Sequence, residues 1–163
     1  MKKLFVIVLL FSLKASAQRI SYSGNWRINK EKINWTVIGN FKVPEWTLPK
    51  GFVINQNASE IMFERIMLNG DLSEFKYTEI LKYDGTSSEI ITPNGTNRKS
   101  FLEWNSDKNT FIISSRGTVD KETTNIIENW SIEDEGKTLV INRHVEQSNG
   151  WKYDIKAYYD KTK

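Results

Sequence analysis

The chain has 163 residues, of which 23 are basic and 20 acidic, and its formal charge is +3 at neutral pH. It contains no cysteine, which excludes disulfide bonds, thiolate catalysis, cysteine-based metal sites and a lipid anchor attached through a cysteine. A chain of this length is sufficient for one hydrophobic core and short for two.

The first 17 residues have the pattern of a secretory signal. A basic start precedes the apolar run from Leu4 to Phe11, and Ala15-Ser16-Ala17 provides the small residues that signal peptidase accepts. We expect cleavage after Ala17, leaving residues 18–163 as a single domain that is secreted or periplasmic. The apolar run is shorter than the roughly 20 residues that a membrane-spanning helix needs, so we expect no membrane anchor.

The signal also accounts for the net charge of the chain. Its three lysines, at positions 2, 3 and 14, leave 20 basic against 20 acidic residues in the rest of the sequence. A domain close to neutral lacks the basic excess that binds nucleic acids or anionic membranes. We therefore expect no nucleic-acid partner.

Alternation of apolar and polar residues, which is typical of a strand with one buried face, is clearest between Glu74 and Tyr83. The predicted buried face consists of Phe75, Tyr77, Leu81 and Tyr83. Asp84-Gly85 follows, a dipeptide that favours the tight turn of a hairpin. This segment therefore predicts a half-buried strand that ends in a hairpin turn.

The same pattern recurs along the chain without a convincing helical stretch. The other predicted strands span Gly24 to Asn29, Gly51 to Asn57, Glu60 to Leu68, Lys99 to Trp104, Thr110 to Arg116, Thr123 to Ile132, Thr138 to Glu146 and Trp151 to Tyr159. Short connections between them predict an all-β fold, an antiparallel up-and-down barrel of eight to ten strands. A two-sheet β-sandwich is the alternative.

Residues 30–50 interrupt this pattern with two prolines and a glycine. We interpret the segment as a loop or lid with a short helical turn. Trp35 and Trp46 lie within it, and large aromatic residues on a loop indicate either a lid over a barrel mouth or a contact surface.

Two segments resemble those of small exported bacterial lipocalin-like proteins. Residues 24–32 are similar to the family's Gly-x-Trp-x-Leu-Asn-x-x-Lys-Ser opening, with Ile33 in place of Ser. Residues 130–139 are similar to its Trp-x-Leu-Ser-x-Asp-Gly-Lys-Thr-Leu pattern, with Glu135 in place of Asp. The resemblance covers one strand and one hairpin. It implies a calycin-type barrel able to enclose a small apolar ligand, and it implies no activity.

Gly24 and Trp26 are candidates for a structural plug at one end of the barrel. A large indole that follows a glycine at the start of a strand can fill a barrel end, with a basic side chain across its face. Arg143 and Arg116, on late strands, are the candidate partners. The alternative is that Trp26 is an ordinary core residue.

Three charged residues fall on faces that are otherwise apolar: Glu79, Glu128 and Arg143. Because an unpaired buried charge is costly, inward charges must pair, bind water or contact a ligand. We expect these residues to form a polar cluster in the interior, where Arg143 could bind the acid group of an amphipathic ligand. Purely structural alternatives are a Glu128–Arg143 pair or stacking of Arg143 on Trp26.

Inward-facing aromatic residues could line a ligand cavity or simply form the core. The candidates are Tyr77, Trp130 and Tyr153. No catalytic motif, metal-binding pattern or cofactor-binding pattern is found, and His144, the only histidine, is assigned no role. Hydrolysis by paired carboxylates would require Glu79 and Glu128 to meet in an open cleft.

The sequence thus predicts an exported, monomeric, non-enzymatic barrel that binds a small apolar or amphipathic molecule in its interior. The main alternative is a module for protein or carbohydrate contact, with a filled core and exposed Trp35 and Trp46 forming the contact. Cavity size distinguishes these two, since a small-molecule site needs roughly 300 Å³ or more.

Overall fold

The computed structural model of the chain describes residues 20–35, 37–38, 41–42 and 45–163. The strands are β1 (Gly24–Ile28), β2 (Asn34–Trp35), β3 (Val37–Ile38), β4 (Phe41–Lys42), β5 (Gly51–Gln56), β6 (Glu60–Leu68), β7 (Glu74–Lys82), β8 (Ser88–Ile91), β9 (Asn97–Asn105), β10 (Thr110–Val119), β11 (Glu122–Glu133), β12 (Thr138–Gln147) and β13 (Lys152–Thr162). Two 3-10 turns lie at Glu45–Thr47 and Asp134–Gly136. Residues 1–17, where the signal peptide is predicted, lie outside the described residues.

Ten strands form one antiparallel up-and-down sheet, which curves into a nearly closed barrel. Their order is β7-β6-β5-β1-β13-β12-β11-β10-β9-β8. Strands consecutive in sequence are therefore paired from β5 to β7 and from β8 to β13, and β1 lies between β5 and β13. β2 adds to the edge of β13, and β3 pairs with β4 in a separate small ribbon. The barrel prediction is therefore confirmed, and the sandwich alternative is wrong.

The barrel is left open between β7 and β8, the two ends of the strand order, since no hydrogen-bonded ladder joins these described strands. Gly85 does supply a turn, with a φ of 80°, but the hairpin expected after β7 does not form. A turn dipeptide specifies a reversal of the chain, whereas pairing also requires that the two strands stay in register. The short strand β8 itself was not predicted.

Side chains alternate between interior and exterior along each strand, as the sequence pattern indicates. On β7 the interior positions include Glu79 and Leu81, while Thr78 and Ile80 are exposed. The predicted placement of Trp151 is wrong. We expected Trp151 to lie on the interior face of β13, but it precedes the strand and is 42% exposed.

The two ends of the barrel differ in burial. We call the end with connections 57–59, 83–87, 106–109 and 134–137 the closed end, and the opposite end the open end. The closed half is fully buried around Tyr22, Trp26 and Trp130. Toward the open end Val145 is also buried, whereas Ile126 is 7% and Tyr153 8% exposed and Tyr77 is only half-buried.

Trp26 fills the closed end, where its indole Nε1 donates a hydrogen bond to the Tyr22 carbonyl at 2.9 Å. The cation above its ring is Lys161, whose Nζ lies 5.2 Å from the ring centroid, so the expectation of Arg143 or Arg116 is wrong. Gly24 makes room for this contact, because a Cβ there would lie 2.6 Å from the Lys161 Cε. Its φ of 139° is also one that residues with a side chain rarely adopt.

The connection from β1 to β5 begins and ends at the open end of the barrel. Its described part includes the expected helical turn, Glu45–Thr47, and Leu48, which is buried in the core. Trp46 is 46% exposed, while the side chain of Trp35 lies outside the described part. Within the described residues, no helix has the length and apolarity to cross a lipid bilayer.

We predict that Gly51→Ala destabilises the fold. A Cβ at Gly51 would lie 2.5 Å from the backbone carbonyl oxygen of Trp26, so β1 and β5 would have to separate. We expect a loss of about 1–3 kcal/mol, the usual cost of overpacking a core, as measured by urea unfolding.

Gly70→Ala is the matched control, because nothing lies within 4 Å of a Cβ at that position. It should leave the unfolding midpoint within experimental error or raise it slightly. Equal stability of the two variants would contradict the close approach of β1 and β5.

Candidate functional site

The three charged residues that the alternation places inside the barrel are found there. Glu79 and Glu128 are fully buried, and the Arg143 side chain is 10% exposed. They lie near the middle of β7, β11 and β12, between the closed and open halves of the interior. Arg143 is directly opposite Glu128 in the ladder of β11 and β12.

Two further interior arginines, Arg65 and Arg98, were not predicted. Arg65 follows Ile61 and Phe63 on the interior face of β6, so the same period-two argument could have identified it. Arg98 lies one residue before the predicted start of its strand and was therefore not assigned to a face. Both are nearly fully buried.

Arg65 is the centre of the cluster. Its Nη2 lies 2.8 Å from Glu128 Oε2 and its Nη1 donates to Oε1 at 3.3 Å, a bidentate arrangement that favours arginine over lysine. Its Nε lies 3.8 Å from Glu79 Oε2. Its guanidinium carbon is also 4.9 Å from the ring centroid of Phe63, 5.3 Å from that of Phe52 and 5.6 Å from that of Trp130. Arg65 thus joins both carboxylates inside an aromatic enclosure.

Arg98 connects the cluster across the opening between β7 and β8. Its Nε donates to Glu79 Oε1 at 3.4 Å, and its Nη2 donates to the Ser115 hydroxyl at 2.7 Å. The hydroxyl of Ser100 donates in turn to Ser115 at 3.0 Å. The ion pair between β9 and β7 therefore lies where the backbone ladder is missing.

Three members of the cluster have a buried side-chain atom without a hydrogen-bond partner: Arg65 Nε, Glu79 Oε2 and Arg143 Nε. Arg143 differs in that its contact with a carboxylate is also long. Its Nη1 lies 3.6 Å from Glu128 Oε1, beyond ordinary hydrogen-bond length, and its buried Nε has no hydrogen-bond partner. The carboxylate oxygens of Glu128 instead accept hydrogen bonds from Arg65 and from Trp130 Nε1, the latter at 3.3 Å. Arg143 therefore has donor capacity that the protein leaves unused.

Among the described residues, the cluster contains three guanidinium groups and two carboxylates, a formal excess of one positive charge. Burial by itself would raise the pKa of Glu128, but the charges of Arg65 and then Arg143 outweigh burial and lower this pKa to about 2. Burial would likewise lower the pKa of Arg65, yet the attraction of Glu128 raises it above the ordinary arginine value. Glu128 and Arg65 therefore both stay ionised at neutral pH. An anion would balance the remaining positive charge of the cluster.

The predicted aromatic lining divides between the two halves. Trp130 is fully buried, with its ring centroid 5.0 Å from Phe52 and 5.5 Å from Phe63, and so it belongs to the packed closed half. Tyr77 and Tyr153 lie on the open side of the cluster, where Tyr77 stacks against Phe75 at 6.4 Å. Of the three predicted residues, Tyr77 and Tyr153 are therefore the ones nearer the open end.

The arrangement does not suit paired-carboxylate hydrolysis. Glu79 and Glu128 are buried and each contacts a guanidinium group, whereas such catalysis needs both carboxyl groups in an open cleft beside the scissile bond. His144 lies elsewhere, half-exposed on the outer face, where its Nδ1 is 2.7 Å from Asp154 Oδ1. That hydrogen bond raises the pKa of His144.

A separate apolar cleft of about 230 Å³ lies at the open end, beside the connection that follows β6. Its lining residues are Ile28, Lys30, Ile33, Leu48, Lys50, Leu68 and Leu72. The cleft is smaller than the roughly 300 Å³ of a typical small-molecule site, so it could hold only part of a ligand.

No protein-family model matches the chain, and the search of curated proteins gives no significant match. Among solved structures, the chain is similar to the zebrafish ileal bile acid-binding protein in complex with cholic acid. The two are 14% identical, the match covers 86% of this chain and 98% of the other, and the TM-score is 0.48. At this identity and score the likeness carries no information about a ligand of this chain.

We predict that Glu128→Gln costs about 3 kcal/mol of stability at pH 7, because it leaves Arg65 buried without its bidentate partner. The acid dependence should change as well. The Glu128 pKa is depressed from 4.5 to about 2 in the fold, so its stabilisation is present above pH 4.5 and is lost as the pH falls toward 2. Urea unfolding across this pH range should show that loss in the unmodified chain and not in Glu128→Gln.

Glu89→Gln is the matched control, since Glu89 lies exposed on β8 and pairs with Lys99 at 2.6 Å. An exposed pair contributes less than about 1 kcal/mol, so this variant should retain the acid-dependent loss. An unchanged acid dependence in Glu128→Gln would contradict the assignment of the effect to Glu128.

Proposed function

We propose that the protein binds a small amphipathic anion in the open half of the barrel, with the acid group of the ligand on Arg143. The observation that carries the proposal is the buried Nε of Arg143, which has no hydrogen-bond partner within a cluster of net positive charge. A buried cation without a full set of partners is costly. A carboxylate would supply both the missing negative charge and a charge-assisted hydrogen bond.

The surroundings of Arg143 support an apolar body for this ligand. On its open side the interior positions are Val145 and its ladder partners Ile126 and Tyr153. Tyr77 lies on the open side of the cluster on β7. Apolar walls with a few placed polar groups are the usual composition of a small-molecule site. The ligand would therefore enter from the open end with its acid group first.

Residues 1–17 support a location outside the cytoplasm, because their basic start, apolar run and Ala15-Ser16-Ala17 exit are those of a secretory signal. The proposed ligand is then a molecule of the periplasm or the extracellular medium. Sequencing the amino terminus of the protein recovered from its host tests this assignment, with Gln18 the expected first residue.

We predict that the protein purified from its own host carries a stoichiometric small acid, visible by native mass spectrometry and recovered by organic extraction. Arg143→Met should lose this mass, because the excess positive charge and the free donor are removed together. Glu128 keeps Arg65 as its partner in this variant, so the fold should be retained.

Arg116→Met is the matched control, since Arg116 lies on the exposed face of β10. It should keep the bound acid. A clean mass for the unmodified protein, with no thermal stabilisation by any acid in a panel, would refute the proposal.

A second function is favoured by the packed closed half together with exposed Trp46 and Trp151. Large exposed aromatics are frequent in protein and carbohydrate contacts. In that case Trp46→Ala and Trp151→Ala would abolish binding to a polysaccharide or protein of the host, while Arg143→Met would not. Retention of such binding in both tryptophan variants would exclude this alternative.

A further inference from the structure

The apolar cleft of about 230 Å³ at the open end, which we call the Leu72 cleft, shares no lining residue with the arginine cluster. Backbone hydrogen bonds fix its position. Ile28 N donates to Lys50 O at 3.0 Å, and Lys50 N donates to Ile66 O at 2.6 Å. These bonds join the ends of β1 and β6 to the residue that precedes β5, so the cleft is part of the hydrogen-bonded frame of the barrel.

The walls of the cleft are aliphatic. Leu48, which is 2% exposed, belongs to the core, whereas Leu72, which is 65% exposed, lies toward the solvent. Since an apolar cavity of about 150 Å³ can bind benzene, a cleft of about 230 Å³ has space for roughly nine carbons. An aliphatic chain of that size would fill the cleft and leave a polar head group at its mouth. The aliphatic lining residues are Ile28, Ile33, Leu48, Leu68 and Leu72.

The backbone of Leu72 is unusual for a leucine. Its φ is 67°, in a region that glycine and asparagine adopt far more readily than residues with an apolar side chain. The turn is closed by other groups, since Leu72 N donates to Asn69 O at 2.9 Å and the Asp71 carboxylate accepts from Ser73. A leucine that the turn does not require, exposed at the edge of an apolar cleft, favours a contact with a molecule in that cleft.

The charge around the cleft favours an anionic head group. Among its described lining residues the two that carry charge are Lys30 and Lys50. Lys50 also contacts Glu74 in an exposed pair. Lys50 lowers the pKa of Glu74 through a hydrogen bond and its charge, and Arg27 lowers this pKa further. More than one cation therefore faces the Glu74 carboxylate, and a carboxylate at the mouth of the cleft would be attracted to the lysines.

We propose that the Leu72 cleft is a second binding site, which takes an aliphatic monocarboxylate with its chain in the cleft and its acid group beside Lys30 and Lys50. The site goes beyond the proposed function, because it uses no residue of the arginine cluster. Lys50 and Leu72 are open to water, so the head group stays solvated. We expect the ligand to exchange rapidly here and not to be retained through purification.

The experiment is calorimetric titration of Arg143→Met with decanoate, below the concentration at which decanoate aggregates. This variant lacks the interior donor of the proposed function, so one bound equivalent should report the Leu72 cleft alone. Leu72→Asn in the same background should weaken binding at least fourfold, since each methylene removed from water contributes about fourfold. Asparagine tolerates the positive φ of this turn, so the fold should be retained. Lys50→Met should reduce the preference for decanoate over the uncharged decanamide.

Ile91→Thr is the matched control, because Ile91 is 78% exposed on β8 and does not line the cleft. It should bind decanoate as tightly as its parent, and an equal loss in Leu72→Asn and Ile91→Thr would overturn the second site. If the unmodified protein binds one equivalent and Arg143→Met binds none, the second site is wrong and the proposed function is intact. If both bind equally and Leu72→Asn abolishes binding in both, the second site is supported and the proposed function fails.

Discussion

The contact on which the rest of the structure depends is the bidentate pair between Arg65 and Glu128. Arg65 lies inside a barrel whose neighbouring interior side chains are aromatic, so its charge needs carboxylates that reach it from other strands. Glu128 on β11 and Glu79 on β7 meet that need from two sides of the barrel. Because both partners are buried, loss of either would leave an uncompensated charge, and β6, β7 and β11 are held in one arrangement.

The same cluster explains how the barrel is held nearly closed between β7 and β8, where the sheet has no backbone ladder. β7 and β8 share no ladder, and the contact between Glu79 and Arg98 joins β7 to β9 across that opening. A side-chain ion pair thus spans the gap where backbone hydrogen bonds are missing. The cluster also separates the aromatic closed half from the half toward the open end, where Tyr77 is half-buried. The unused donor of Arg143 lies at the boundary between the two.

Much of this arrangement follows from period-two alternation, which predicts the barrel and places Glu79, Glu128 and Arg143 inside it. Arg98 escapes the same argument because its strand begins at Asn97, two residues earlier than local signals indicate. Other features depend on register between distant strands, which a single sequence does not reveal. The cation above Trp26 is Lys161 rather than an arginine because β13 pairs with β1, and the opening beside β8 arises although Asp84-Gly85 favours a hairpin.

The most direct test of the account is nitrogen–proton NMR of the arginine Nε–H groups in the presence and absence of octanoate. We predict that the Arg143 Nε–H signal shifts and that its exchange with water slows when octanoate binds, while the signal of Arg116, on the outer face, stays unchanged. Binding of octanoate with no effect on Arg143 would contradict the claim that the excess positive charge of the interior receives the ligand.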